Sequence, residues 1–346
     1  MNGELSTPEL MELAYRIDLP LKDWQQKLSD AIFKRRSIGT GLLSYEFDAS
    51  DPEGPVGIGS IATAGDVEEF AQSTEETHNA IQGNLYHIVL KRGTHCSTTR
   101  RRLAEESHSL EEFNNFNSSI EKLGLYDIWA VCSVELNARG IAFAIPLENH
   151  IELKPAETAY WQKIAVHISA GYRLRKSLSG NNTDIDSLLD KAEAILGNDG
   201  HPIKLGKPAA DKREIITRAV KAIDRARAED YRNGSSHSID LWKGLLAGKW
   251  SLVFRTDSDG KRFILLFKND PISIKHKKLS RRESQIAGYA AQGHSYKDIA
   301  YELGLNVSTI GTYLQRALSK LELASIHELV WLYGELRAGG EWGKRG

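Results

Sequence analysis

The chain has 346 residues, enough for two or three domains, and its 45 basic and 46 acidic side chains leave a formal net charge of −1. A hydrophobic content of 41% and a charged content of 26% are ordinary for a soluble globular protein, and the near-neutral balance excludes a chain that coats nucleic acid through bulk charge, so any attraction to DNA must be local. The two cysteines, Cys96 and Cys132, make no CxxC pair, no apolar run reaches the length of a membrane span, and the N-terminus lacks a charged-then-apolar leader, which points to a cytoplasmic protein without a disulfide or zinc framework.

Residues 21–178 read as one α/β domain. Leu21, Trp24, Leu28, Ile32 and Phe33 recur at helical intervals and predict a helix over 21–36, which Gly39-Thr40-Gly41 ends. Strands are expected over 42–47 and 56–62, separated by the turn Asp51-Pro52-Glu53-Gly54-Pro55, followed by a helical stretch over 66–85. The segment from His87 onward gives no clear period, and Arg100-Arg101-Arg102 reads as a solvated surface. A helix over 110–123 precedes the β-branched and aromatic run Tyr126 to Leu136, the turn Asn137-Ala138-Arg139-Gly140, and a returning strand over 141–147. A long helix over 157–178 closes the unit. Tyr86, His87, Trp129, Cys132 and Phe143 are candidates for the wall of a pocket, with plain core packing as the other reading of each. The adjacent pair His95-Cys96 is too sparse to imply a metal.

Asn181-Asn182-Thr183 marks a linker, and residues 185–270 read as a second, smaller α/β domain. Lys191 to Leu196 leads into the turn Asn198-Asp199-Gly200 and a short extended piece at 202–205. An amphipathic helix follows, with Ile215, Ile216, Ala219, Ile223 and Ala226 inside and Arg213, Arg218, Lys221, Arg225 and Arg227 outside; that basic face suits either DNA or solvent. A further helix is expected over 239–246. Strands over 250–256 and 262–267 then flank Asp257-Ser258-Asp259-Gly260, a hairpin signal; the distal ligands of a calcium loop are missing.

The last stretch, residues 277–336, is punctuated most consistently. Ser280 and Glu283 form a capping box before a helix carrying Ile286, Ala287, Ala290 and Ala291, which stops near Gly293. Ser295 and Asp298 open a second helix with Tyr296, Ile299, Ala300 and Leu303 inside, and Gly304 is suited to its C′ position. After the turn Leu305-Asn306-Val307, Ser308 begins a third helix with Ile310, Leu314, Ala317, Leu318 and Leu321 on one stripe. Ser325 and Glu328 open a fourth, with Ile326, Leu329, Val330, Leu332 and Tyr333. Lys275, Lys277, Lys278, Arg281, Arg282, Lys297, Arg316 and Lys320 outnumber Glu283, Asp298, Glu302 and Glu322 there, which gives the local positive charge that DNA phosphates require.

This terminal pattern resembles the LuxR-type (FixJ/NarL/GerE) helix-turn-helix, carried by Leu279, Arg282, Glu283, Gly293, Lys297, Ile299, Ala300, Leu303, Ser308-Thr309-Ile310 and Lys320-Leu321. The order of elements in 21–178 is similar to a GAF domain, and that in 185–270 to a reduced PAS domain; no diagnostic motif accompanies either. The expected fold class is therefore α+β and multidomain: a GAF-like sensor or dimerisation domain, a small PAS-like regulatory domain and a C-terminal four-helix DNA-binding domain.

The resemblance implies a DNA-binding transcriptional regulator working as a homodimer through its fourth helix (Ile326 to Tyr333) and the upstream domains, with the helix from Ser308 to Leu321 in the major groove of promoter DNA. It implies phosphate contacts from Ser295, Lys297, Thr309, Arg316 and Lys320, and places the base-facing positions at Gly311, Thr312 and Gln315. Here the sequence departs from the family, which often has lysine at the position of Gly311, a basic residue at that of Gln315 and His at that of Tyr313. Two readings compete: the site is read through Thr312, Gln315 and DNA shape, or affinity is weak and depends on avidity or a partner.

A second class of function is a protein-interaction factor that docks RNA polymerase, because TYLQRALSKL is also similar to a sigma-factor region 4. No sigma region 2 accompanies it. No GxSxG elbow, P-loop, GxGxxG after a strand or HExxH is present, so no catalytic site, no metal and no cofactor is expected, and the input is a small-molecule or protein signal of unknown identity. The acidic pair and phosphoacceptor order of a receiver domain do not fit the N-terminal part, and neither does the spacing of an acyl-homoserine-lactone sensor around Trp24 and Asp51-Pro52.

Overall fold

The computed structural model describes residues 4–51, 55–80, 93–106, 110–135, 137–178, 185–233, 235–246, 249–256, 259–269, 278–326, 328–330 and 333. The chain opens with a helix that the sequence reading did not anticipate, α1 (Thr7–Ala14), although Ser6 and Glu9 form the same capping box used later. Then come α2 (Leu21–Arg36), β1 (Gly41–Asp48), β2 (Gly57–Gly65), α3 (Glu68–Ala80), β3 (His95–Thr98), α4 (Thr99–Glu106), α5 (Leu110–Glu121), β4 (Asp127–Val134), β5 (Arg139–Leu147) and α6 (Pro155–Leu178). Helix α2 carries Lys34, Arg35 and Arg36 in its last turn, where cations complement the helix dipole. The five strands form one antiparallel sheet in the order β2-β1-β5-β4-β3.

A second unit repeats this arrangement. It contains α7 (Ile185–Lys191), β6 (Ala194–Gly197), β7 (Pro202–Leu205), α8 (Lys207–Ala210), α9 (Arg213–Asn233), α10 (Ser235–Leu241), β8 (Leu245–Leu246), β9 (Trp250–Thr256) and β10 (Arg262–Lys268). Its sheet order, β7-β6-β10-β9-β8, again places the first and last strands side by side, with a helical crossover between the second and third. The hairpin between β9 and β10 pairs Arg262 with Thr256 and Lys268 with Trp250, and Gly260 takes a positive φ of 77° in its turn.

One cluster of buried apolar side chains runs through both units. It includes Leu10 and Met11 of α1, Trp129 and Phe143 of the first sheet, Trp161 and Ile164 of α6, and Leu252 and Leu265 of the second sheet. Strand alternation sends Trp129, Val131, Ile141, Phe143 and Ile145 into this cluster. Ala130, Cys132, Ala142 and Ala144 go to a separate cluster on the opposite face.

Four expectations change on this fold. Trp129, Phe143 and Cys132 do not line one cavity: the period of two separates Cys132 from the other two, and Tyr86 and His87 lie outside the described residues. The segment around His95 and Cys96 is strand β3, paired with β4, where His95 Nδ1 lies 2.7 Å from the carbonyl of Gly93. Arg102 is buried rather than solvated, whereas Arg101 pairs with Glu105 on the surface. The helix expected over 239–246 ends at Leu241 instead; the carbonyl of Gly244 accepts from the Leu252 amide, and Leu245–Leu246 joins the second sheet.

The C-terminal part comprises α11 (Arg281–Ala291), α12 (Tyr296–Leu303) and α13 (Val307–Leu321), with helical backbone also at 326, 328–330 and 333. The first two expected capping boxes form. Ser280 accepts from the Glu283 amide while Glu283 reaches back to the Ser280 amide at 2.7 Å, and Ser295 and Asp298 repeat the exchange. Gly304 caps α12 at φ 58°, the left-handed conformation that glycine adopts without a Cβ clash. Helix α13 starts one residue before the expected Ser308, from Asn306, with no side-chain cap bond. The last box forms by half: the Ser325 hydroxyl accepts from the Glu328 amide at 3.3 Å, while the Glu328 carboxylate takes the Ala324 amide at 3.0 Å instead of that of Ser325. Ile286, Ile299, Leu303, Ile310, Leu314, Leu329 and Tyr333 fill a core of their own, separate from the upstream cluster.

Candidate nucleic-acid interface

Helix α13 buries Ile310, Leu314 and Ala317 and leaves its other face open. Ser308, Thr312, Gln315, Arg316 and Lys320 are exposed, and Thr309 and Gly311 are half-buried. The hydroxyl of Thr312 donates to the Ser308 carbonyl one turn back at 3.0 Å, so its lone pairs face outward as acceptors. A Cβ added at Gly311 would meet only Tyr296 Cε2 at 3.6 Å, an ordinary contact, so packing does not demand glycine there. Arg316 lies 6.0 Å over the Tyr313 ring.

Not every expected phosphate ligand is equally open. Ser295 Oγ donates to Asp298 at 2.6 Å inside the capping box. Lys320 Nζ is 2.8 Å from Glu283. Burial works against the charged form of Glu283, but Lys320 and the Ser280 hydroxyl and amide outweigh it and hold the carboxyl below its ordinary value. Lys297 is exposed at the start of α12. Neither it nor Arg316 has a carboxylate partner among the described residues. Lys275 and Lys277 lie outside the described residues.

The module does not stand apart from the upstream units. Two consecutive residues of α12, Tyr301 and Glu302, reach α6. The Tyr301 hydroxyl is 2.8 Å from His167 Nε2, and His167 Nδ1 is 2.8 Å from the Tyr15 hydroxyl. Burial pushes His167 down to about 3, with Lys243 adding to the shift, so the ring is neutral and one nitrogen donates while the other accepts. Tyr301 donates to the Ile239 carbonyl at 3.4 Å. With the Tyr301 proton given to Ile239, Nε2–H donates to Tyr301 and Nδ1 accepts from Tyr15. The result is a continuous chain of oriented bonds from Tyr15, at the end of α1, through α6 to α12.

Glu302 makes the second prong. Its Oε1 is 3.6 Å from Arg173, which is held by three bonds of 2.8–3.0 Å to Glu135 and by Asn269 at 3.2 Å. Ser169 also donates to Glu135, at 2.7 Å. Burial raises Glu302 to about 7 even though Arg173 and Tyr289 oppose the shift. Its Oε2 has no hydrogen-bond partner among the described residues and lies 4.0 Å from Nδ1 of His294, which burial pushes down to about 4. Beside them Gly93, at φ 69°, leaves no room: a Cβ there would stand 2.7 Å from His294 Nε2 and 2.8 Å from Gln292 Oε1. Sequence reading missed all of these contacts, because His167, Arg173 and Glu135 are far from residues 292–302 along the chain.

The model of the bacterial regulatory proteins of the luxR family (GerE) matches residues 277–333. This stretch is a LuxR-family helix-turn-helix domain. Its match covers the whole four-helix module and none of the two sheet units. A crystal structure of Escherichia coli SdiA aligns over 93% of the chain and 92% of its own, at 10% sequence identity and a TM-score of 0.29. No curated protein sequence matches the chain. Among the described residues, no helix is long and apolar enough to cross a membrane, and no group of His, Cys, Asp or Glu has metal-binding geometry.

Proposed function

We propose that the protein is a DNA-binding transcriptional regulator in which the two sheet units, seated on α12, control how the LuxR-family domain meets DNA. The observation that carries this reading is that the family match coincides with a capped four-helix module whose α13 keeps an open polar face. Helix α13 enters the major groove. Thr312 and Gln315 face bases, Gly311 lets the backbone approach, and Lys297 and Arg316 anchor phosphates, with Thr309 beside them. Ser295 and Lys320 join the phosphate contacts only by exchanging Asp298 and Glu283 for DNA.

Dimerisation through the fourth helix brings two such faces to half-sites about one helical turn apart. Val330, 39% exposed in that helix, supplies an apolar contact for the second copy. The polar chain through His167 and the Glu302–Arg173 contact give the upstream units a lever on the orientation of α12, through which a small-molecule or protein signal acts.

The test is duplex binding by full-length variants. Lys297→Ala weakens binding to all duplexes alike, whereas Gln315→Ala changes which duplexes are preferred. If both change only sequence preference, the roles are misassigned. If the wild type binds no duplex at low salt and instead copurifies with RNA polymerase, the regulator reading fails.

A further inference from the structure

Three open clefts of similar size border the docked units, and their charges differ. One of about 600 Å³ sets Arg16, Lys27 and Lys34 against Glu12, Asp18 and Asp30. One of about 800 Å³ is closed electrostatically by its own pairs: Lys176 with Glu46, Arg139 with Asp48 and Arg173 with Glu135. The third, of about 590 Å³, lies between the second unit and the DNA-binding module. Arg218, Lys243 and Lys297 line it, with no carboxylate among its described lining residues.

The position of this third cleft gives its charge a meaning. The module's wall is Lys297 at the start of α12 and Gly304, Leu305 and Asn306, the turn into α13. Asn306 is the N-cap of α13. A recognition helix meets base edges with its N-terminal residues, while the preceding helix crosses the phosphate backbone. The DNA strand bordering the groove therefore runs past Lys297 and Asn306, along the mouth of the cleft.

The opposite wall belongs to the second unit. It carries Arg218 from α9 and Lys243 from the stretch before β8, both exposed. An acidic wall at this place would repel the duplex, but this one offers two more cations. Among the described residues Arg218 has only a loose contact of 3.9 Å with Glu214, whose side chain is 86% exposed, and a screened pair of this kind yields readily to a phosphate. Lys221 and Arg225 continue the exposed charge along α9 from Arg218.

We infer that, with the units docked, the second sheet unit adds its own phosphate contacts, Arg218 and Lys243 extending onto the DNA backbone the footprint begun by Lys297. The inference rests on the reading of α13 as the recognition helix. The docked arrangement is then the tight-binding one, and a signal that loosens α12 from α6 weakens DNA binding by removing these contacts.

The experiment is a salt titration of full-length protein on a synthetic duplex of defined sequence. It compares wild type, Arg218→Ala/Lys243→Ala, and a charge-matched control, Lys22→Ala/Lys122→Ala, whose lysines lie on α2 and beyond α5. Each lost phosphate contact reduces the slope of log affinity against log salt by about 0.9, so the double variant loses about 1.8. Its base preference stays that of the wild type, and its defect shrinks as salt rises, while the control keeps the wild-type slope. A wild-type slope in the double variant, tighter binding by it, or an equal loss in the control overturns the inference. Absence of duplex binding by the wild type at low salt sinks the underlying reading instead, and the inference with it.

Discussion

Tyr301→Phe removes one oxygen and tests whether the DNA-binding module is held on α6 by the polar chain. The ring keeps its edge-to-face contact with His167, at 5.6 Å between centroids and 84° between planes, so packing survives. What is lost is the acceptor for His167 Nε2–H at 2.8 Å, a donor on a ring that is 1% exposed. An isolated buried donor costs about 1–3 kcal/mol, which loosens docking about 5- to 150-fold. The assay is amide hydrogen exchange on the full-length chain, with α12 compared with α11. Helix α11 packs in the module's own core and touches α6 less than α12 does, so its protection is the internal reference. Exchange in α12 accelerates by that factor while α11 keeps its wild-type protection. Equal protection of α12 in both proteins, with the chain otherwise folded, refutes the idea that this hydrogen bond holds the module in place.

Other outcomes follow from the same geometry. Gly93→Ala drives a methyl to within 3 Å of the His294 ring and the Gln292 amide and forces a left-handed residue to carry a Cβ, so it lowers the unfolding midpoint and accelerates exchange at 292–294. Glu302 titrates near 7 in the fold and near 4.5 when unfolded. Between those values the unfolded chain gives up this proton first, so the group's contribution to stability falls as pH rises through the window and is constant above it. Glu302→Gln therefore gains on the wild type by at most about 3 kcal/mol between pH 4.5 and 8 in denaturant unfolding, and a pH-independent difference contradicts the burial of an uncompensated carboxyl. His167 and His294, depressed by burial, act in the opposite direction below their ordinary value, and they do so in both proteins. Gly311→Ala, with only a 3.6 Å contact to meet, stabilises α13 by about 1 kcal/mol in thermal unfolding; a loss of stability shows that the backbone there needs glycine.

The helices of the terminal module were legible because their signals are local. A Ser and an acid three residues apart, a stop glycine and an apolar stripe all sit within one turn of what they determine, and Ser280, Glu283, Ser295, Asp298 and Gly304 behave as expected. The same rule applies to α1, where Ser6 and Glu9 form a capping box of the same kind. The hairpin between β9 and β10 was legible for the same reason. Strand β3 was not, since His95–Thr98 is short and polar and is fixed by pairing with β4 rather than by its own pattern. The end of α10 was lost in a similar way: Leu245 and Leu246 continue an apolar run that only β9 turns into a strand. Least legible was the docking of the module. Glu302 reads as a solvent-facing acid on an amphipathic helix, and only the arrival of Arg173 and Glu135 from α6 and β4 makes it a buried one. Of the candidate site, the exposed face of α13 was foreseeable from its stripe, but the engagement of Lys320 by Glu283 depends on how α11 and α13 cross.

The most direct test of the account is selection by the full-length protein from a random pool of duplexes, followed by footprinting on the enriched sequence. The account predicts enrichment of one motif or an inverted pair of half-sites, with binding that falls linearly in log–log salt plots and a motif that changes in Gln315→Ala. A pool that stays random, with binding indifferent to salt, contradicts it.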